Sequence, residues 1–190
     1  MKLKQVVACC LALVVMFVLS SASATVLVKM EVEQLTKAAG EIVQGVVEEV
    51  RCEKDPNNGR LYTYNTILVK QNIKGQAEER VVIRQLGGSY NGVEMWISGT
   101  PRFTVGEEVV VFLKKDKNVY FLRGMGQGAF SIKMVEGAKM AFQKTGNVAL
   151  YNKDDKSGQS TVQKAEAKSY EFTRLLQDIQ RYMSLQKAEK

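Results

Sequence analysis

The sequence predicts a small, mainly β domain, a barrel or sandwich, with a short helix in front of it and one amphipathic helix behind. Short runs of β-branched and aromatic residues carry the first part of this reading, and the Gly, Pro and Asn residues spaced closely between them carry the second. A change to a helical period after residue 164 carries the third.

The chain opens with Lys2 and Lys4, runs apolar from Val6 to Leu19, and closes on Ala22-Ser23-Ala24 before Thr25. This charged, apolar and small-residue order predicts a cleavable secretory signal at residues 1–24, and therefore a periplasmic or extracellular protein. The apolar run is shorter than the roughly 20 residues a membrane span needs, so no span is expected once the signal is removed. Val6-Val7-Ala8-Cys9 has the letters of a lipoprotein box, but the apolar stretch follows Cys9 instead of preceding it, which argues against a lipid anchor.

Losing residues 1–24 removes two basic and no acidic residues, so 25 Lys and Arg face 20 Asp and Glu and the net charge falls from +7 to +5. Basic and acidic residues interleave along the chain, which reads as a solvated surface of mixed sign and argues against a nucleic-acid partner. Only Cys52 remains of the three cysteines, so no intramolecular disulfide is expected; its place at the end of an apolar strand suggests packing. The chain has no histidine, which removes the commonest general base and zinc ligand. No cofactor is expected.

Residues 31–39 predict a short helix that stops at Gly40. Ile42, Val43, Val46, Val47 and Val50 fall at helical spacing, but all are β-branched and Gly45 interrupts them. The turn residues Asp55-Pro-Asn-Asn-Gly59 and the β-forming run Leu61–Val69 decide for a hairpin. Strands follow at Arg80–Leu86, Val109–Leu113, Val119–Arg123 and Ala129–Met134, with weaker ones near Val93–Ile97, Met140–Gln143 and Val148–Tyr151. Helix, hairpin, third strand, long loop and second hairpin is the order of an OB-like barrel. Residues 25–151 form this body, and 152–163 are expected to be a polar linker. Residues 164–190 are expected to be a C-terminal helix, with Phe172, Leu175, Leu176, Ile179 and Met183 on one stripe.

Motifs that resemble catalytic ones fit poorly. Gly124-Met-Gly-Gln-Gly128 lacks the Lys-Ser/Thr and helix of a phosphate loop and reads as a tight strand connection. Asp55–Gly59 lacks the later glutamate of a calcium loop. Neither Gly88-Ser-Tyr-Asn-Gly92 nor Ser184-Leu-Gln-Lys187 has the companions of a serine nucleophile. Glu107 and Glu108, as strand neighbours, point to opposite faces and cannot serve one substrate as a pair. The suggestive binding feature is aromatic: Tyr62 and Tyr64 share a strand face, Trp96 lies with Tyr90 in the glycine-rich loop region, and Arg84 and Arg102 are close in sequence. Flat rings with guanidinium groups hold sugars or bases on such barrels.

The segments Ile42–Val47, Ile73-Lys-Gly75, Gly87-Gly88, Gly99–Leu113 and Gly126–Phe130 together resemble a group of exported bacterial β-rich proteins, over roughly residues 31–134. The most specific part is Gly99-Thr-Pro101-Arg-Phe103-Thr-Val-Gly106-Glu-Glu108-Val-Val-Val-Phe112-Leu113. The group brings no activity, cofactor or catalytic residue with it. The expected function is an exported, non-enzymatic binding or accessory module for a glycan or protein. The alternatives are an envelope component docking a partner through the C-terminal helix, and a glycan-cleaving enzyme working with carboxylates alone.

Overall fold

The computed structural model describes residues 26–146, 148–153, 160–166 and 168–188. The signal segment with its cleavage site, Cys9 and Cys10, and the centre of the expected linker lie outside these residues.

The protein is mainly β, with two helices, one of them C-terminal. Five strands close a ring: β2 (Glu41–Lys54), β3 (Leu61–Lys74), β4 (Arg80–Tyr90), β6 (Glu108–Asp116) and β7 (Val119–Leu122). β2 pairs antiparallel with β3, and β3 with β4. β6 pairs with β2 and with β7, and a parallel contact between Ile83 and Tyr120 joins β7 to β4. Counting only these five in chain order, the ring runs first, second, third, fifth, fourth. The barrel or sandwich expected from the sequence is thus present as a sandwich-like arrangement of sheets with a ring through five strands, its closing contact parallel.

The ambiguous valine run is strand, not helix. Gly45 sits at an irregularity in the β2–β3 register, where a Cβ would lie 2.4 Å from the Leu68 carbonyl oxygen. A side chain has no room there, and the bulge increases local twist, as ring closure requires.

The apolar run Val109–Leu113 has no alternation because both faces of β6 are buried. Val109, Val111 and Leu113 point into the barrel with Val43, Val47, Ile67, Val81 and Ile83. Val110 and Phe112 point the other way, into a second core with Ile42, Phe130, Ile132 and Ala141. Helix α1 (Val32–Ala38) and the C-terminal helix α2 (Phe172–Ala188) cover that second core: Leu35, Leu175 and Ile179 are each 0 % exposed. The apolar stripe of α2 is therefore packed on its own domain.

The C-terminal region differs from expectation in its boundaries. α2 begins at Phe172, not at residue 164, with the Glu171 carboxylate accepting from the Thr173 N–H at its start. Before it come β11 (Ser160–Lys164) and β12 (Ser169–Glu171). β11 pairs with β10 (Ala149–Lys153), so part of the stretch expected as linker is strand. β1 (Val26–Val28) completes this three-stranded sheet by parallel pairing with β10. β8 (Ala129–Val135) and β9 (Ala138–Gln143) extend the main sheet beyond β6, and β12 pairs with β9. β5 (Val93–Trp96) pairs with the end of β4. Among the described residues no helix is long and apolar enough to cross a membrane.

Candidate functional site

Strand alternation sets the site. Along β3, Leu61, Thr63, Asn65 and Ile67 are buried while Tyr62, Tyr64 and Thr66 are partly exposed, so the two tyrosines share the outer face of the barrel. Tyr64 lies opposite Arg84 of β4 and opposite Arg51 of β2. The β3–β4 register thus brings Tyr62, Tyr64 and Arg84 together from segments about twenty residues apart.

The Arg84 guanidinium is 3.8 Å from the Tyr62 ring centroid. One of its terminal nitrogens is 3.7 Å from Asp55 Oδ2 in the β2–β3 turn. Asp55 also accepts from the Asn57 backbone N–H at 2.8 Å and from Asn58 Nδ2 at 3.3 Å. Asn58 Nδ2 reaches the Tyr62 hydroxyl at 3.4 Å. The turn residues are thereby tied to the aromatic face: the carboxylate positions the guanidinium, and the amide positions the phenol. Arg84 Nε is buried and has no hydrogen-bond partner in the structure.

Beside Arg84 a cavity of about 240 Å³ opens where β4 leaves β7, walled by Leu86, Ile97, Pro101, Phe121, Leu122 and Met125. Buried Gln85 fixes the loop wall, donating to the Pro101 carbonyl oxygen at 3.2 Å and accepting from Asn65 Nδ2 at 2.7 Å. Gly124 and Met125 both have positive φ, 66° and 55°, so a turn unusual for a methionine carries Met125 into the cavity wall.

Trp96 and Arg102 form a second stack, with the guanidinium 3.9 Å from the indole centroid. Trp96 lies opposite Gly87 at the end of the β4–β5 hairpin away from its turn, and its Nε1 is buried without a partner. Four of the five residues singled out from the sequence thus form two stacks, Tyr62 with Arg84 on the β3–β4 face and Trp96 of β5 with Arg102 of the loop after it, and Tyr64 belongs to neither. Tyr64 is attended by Arg51, at 5.7 Å, which sequence reasoning missed. Its signal was present: Arg51 is the strand position opposite Tyr64 once the hairpin register is drawn.

The neighbouring carboxylates are engaged separately. Lys144 Nζ donates to Glu107 Oε1, while Glu108 Oε1 accepts from Lys139 Nζ at 2.7 Å and Gln44 Nε2 at 2.6 Å. Burial acts to raise the Glu107 carboxyl, but the hydrogen bond and charge of Lys144, together with further hydrogen bonds such as that from the Thr104 N–H, outweigh it and hold the group below the usual range. Gly124–Gly128 is a connection containing a 3₁₀ turn, as a tight strand link should be. Its glycines allow close backbone approach: a Cβ on Gly126 would lie 2.2 Å from the Lys144 carbonyl oxygen. Among the described residues no group of three or more His, Cys, Asp or Glu is placed to hold a metal.

No protein-family model and no curated protein matches the chain.

Proposed function

We propose that this chain is an exported, non-enzymatic binding or accessory module that takes a glycan on the outer face of β3 and β4. The observation that carries the reading is Arg84 stacked on Tyr62 at the mouth of an apolar cavity, held there by the β2–β3 turn. A sugar presents apolar C–H faces and a rim of hydroxyls, which call for a flat ring bordered by fixed donors and acceptors. Tyr62, Asp55, Asn58 and Arg84 provide that set. This face and this turn are also those that OB-type barrels use for oligosaccharides.

Two observations favour this reading over its rivals. The α2 stripe that would dock an envelope partner is occupied inside its own domain. The adjacent carboxylates Glu107 and Glu108, which point to opposite faces, are moreover each held in their own ion pair.

The test is titration of the exported chain with a panel of cell-wall and extracellular polysaccharides. Saturable binding of at least one is expected, weakened about tenfold by Tyr62→Ala and by Arg84→Ala, which corresponds to about 1.4 kcal/mol. Turnover of any of them that depends on a single acidic residue overturns the non-enzymatic part. Binding indifferent to both substitutions overturns the site.

A further inference from the structure

A groove of about 750 Å³ lies where the C-terminal ends of both helices meet the barrel, and it gathers the charge that the sequence disperses. Lys37 comes from α1, Lys74 from the end of β3, Lys114 and Lys115 from β6, Arg123 from just after β7, and Lys187 from the last turn of α2. Among the described residues no acidic one lines it. Nearby acids offset part of this charge: Glu33 pairs with Lys37, Glu78 with Lys115, and Glu41 packs beneath Gly75.

Helix capping accounts for some of these cations. Lys74 Nζ donates to the Thr36 carbonyl oxygen at 2.6 Å, and Lys37 and Lys187 sit in last turns, where the helix dipole favours positive charge. It does not account for Lys114 or Arg123, which the barrel contributes from a different direction. Arg123 Nε is moreover buried without a hydrogen-bond partner, the position of a donor awaiting an acceptor.

We propose that this groove binds a compact ligand carrying two or more phosphate groups. Its volume falls within the range of small-ligand sites. Five ammonium groups and one guanidinium suit multivalent phosphate, which accepts point charges from several directions; a planar carboxylate is better matched by arginine forks. Among the described residues the lining contains no aromatic side chain, and so none of the stacking that holds single-stranded nucleic acid. The site is independent of the Tyr62–Arg84 face.

The experiment is calorimetric titration of the exported chain with myo-inositol hexakisphosphate. Saturable binding is expected, weakening about tenfold or more between about 50 and 200 mM salt. Lys114 and Lys187 are exposed, so the double variant Lys114→Gln/Lys187→Gln should keep its melting temperature and weaken binding about tenfold, whereas Tyr62→Ala should leave it intact. Co-sedimentation with phosphatidylcholine vesicles holding a diphosphorylated glycolipid, against the same vesicles without it, assigns the source. Retention only by the former identifies a lipid-borne phosphate, and binding of the soluble probe alone identifies a free one. The proposal is overturned by absence of saturable binding, by binding that the double variant retains in full, or by a dodecanucleotide binding as tightly as the hexakisphosphate.

Discussion

Arg84 sits over the ring of Tyr62 and at the same time within ion-pair distance of Asp55, so one guanidinium joins the strand face to the preceding turn. The Arg84 and Asp55 side chains are 29 % and 20 % exposed and their nearest charged atoms are 3.7 Å apart, and a partly solvated pair at this distance contributes little to folding. A cation–π contact at such a site contributes about 0.5–1 kcal/mol. Arg84→Ala is therefore expected to lower unfolding free energy by no more than about 2 kcal/mol. Urea titration of the variant checks this, and a loss large enough to unfold the domain would make Arg84 structural.

Leu175 should behave in the opposite way. It is fully buried between α2, α1 and the outer face of the main sheet, with Phe112 and Phe130 in the same core. Leu175→Ala is expected to cost about 2–5 kcal/mol, while Leu185→Ala, at a position 46 % exposed, should stay within about 0.5 kcal/mol. Equal effects in thermal melts would contradict the docking of α2.

What the sequence reveals here is set by range. The barrel strands and their turns are legible because each alternates or carries turn residues locally, and Tyr62 and Tyr64 share a face for the same reason. β11 and β12 were missed because Thr161-Val162-Gln163 becomes strand only through its partner β10, and Ser169–Glu171 through β9. The α2 stripe was legible as a stripe; its start depended on those pairings. Arg102 and Trp96 read together with the tyrosines because they are near in sequence, yet the β4–β5 hairpin and the loop after it make them a separate stack. The basic groove was invisible because its cations come from five segments, each interleaved with acids along the chain.

Gln127 explains why the glycine-rich connection is built as it is. Its side chain is 2 % exposed; Oε1 accepts from the Met30 N–H at 2.8 Å and Nε2 donates to the Val28 carbonyl oxygen at 2.9 Å. This amide holds the chain between β1 and α1 against the barrel. Gln127→Ala leaves both backbone groups without their side-chain partner, for which about 1–3 kcal/mol is expected. Hydrogen exchange at the Met30 amide should accelerate in the variant; unchanged protection there would mean that β1 is held by its pairing with β10 alone.

The Glu107–Lys144 pair makes a pH-dependent contribution whose sign is fixed. The Glu107 carboxyl is held below its ordinary value, so its folded pKa lies under that of the unfolded chain. Its stabilisation is fully present above the unfolded value, about 4.3, and is lost as pH falls through the lower folded value. The melting temperature of Glu107→Gln should therefore lie below that of the parent at neutral pH, and the gap should close on acidification below about pH 4.3. A gap that persists or widens in acid would show that the carboxylate is not what the site relies on.

Cys52 and Gly88 offer the closest packing test. The thiol is free and half-buried, and a Cβ placed on Gly88 would lie 2.4 Å from both Cys52 Sγ and Thr63 Oγ1. Gly88 also has a φ of 143°, which a residue with a side chain rarely adopts. Gly88→Ala thus meets strain and overlap together, and the backbone of β4 must move away from β2 and β3. Thiol labelling of the parent should be slow and should accelerate about tenfold or more in denaturant, because the sulfur packs against that backbone. In Gly88→Ala the native labelling rate should rise and the melting temperature fall. Rapid stoichiometric labelling of the parent, or a disulfide-linked dimer on a non-reducing gel, would instead make Cys52 a reactive group at the surface.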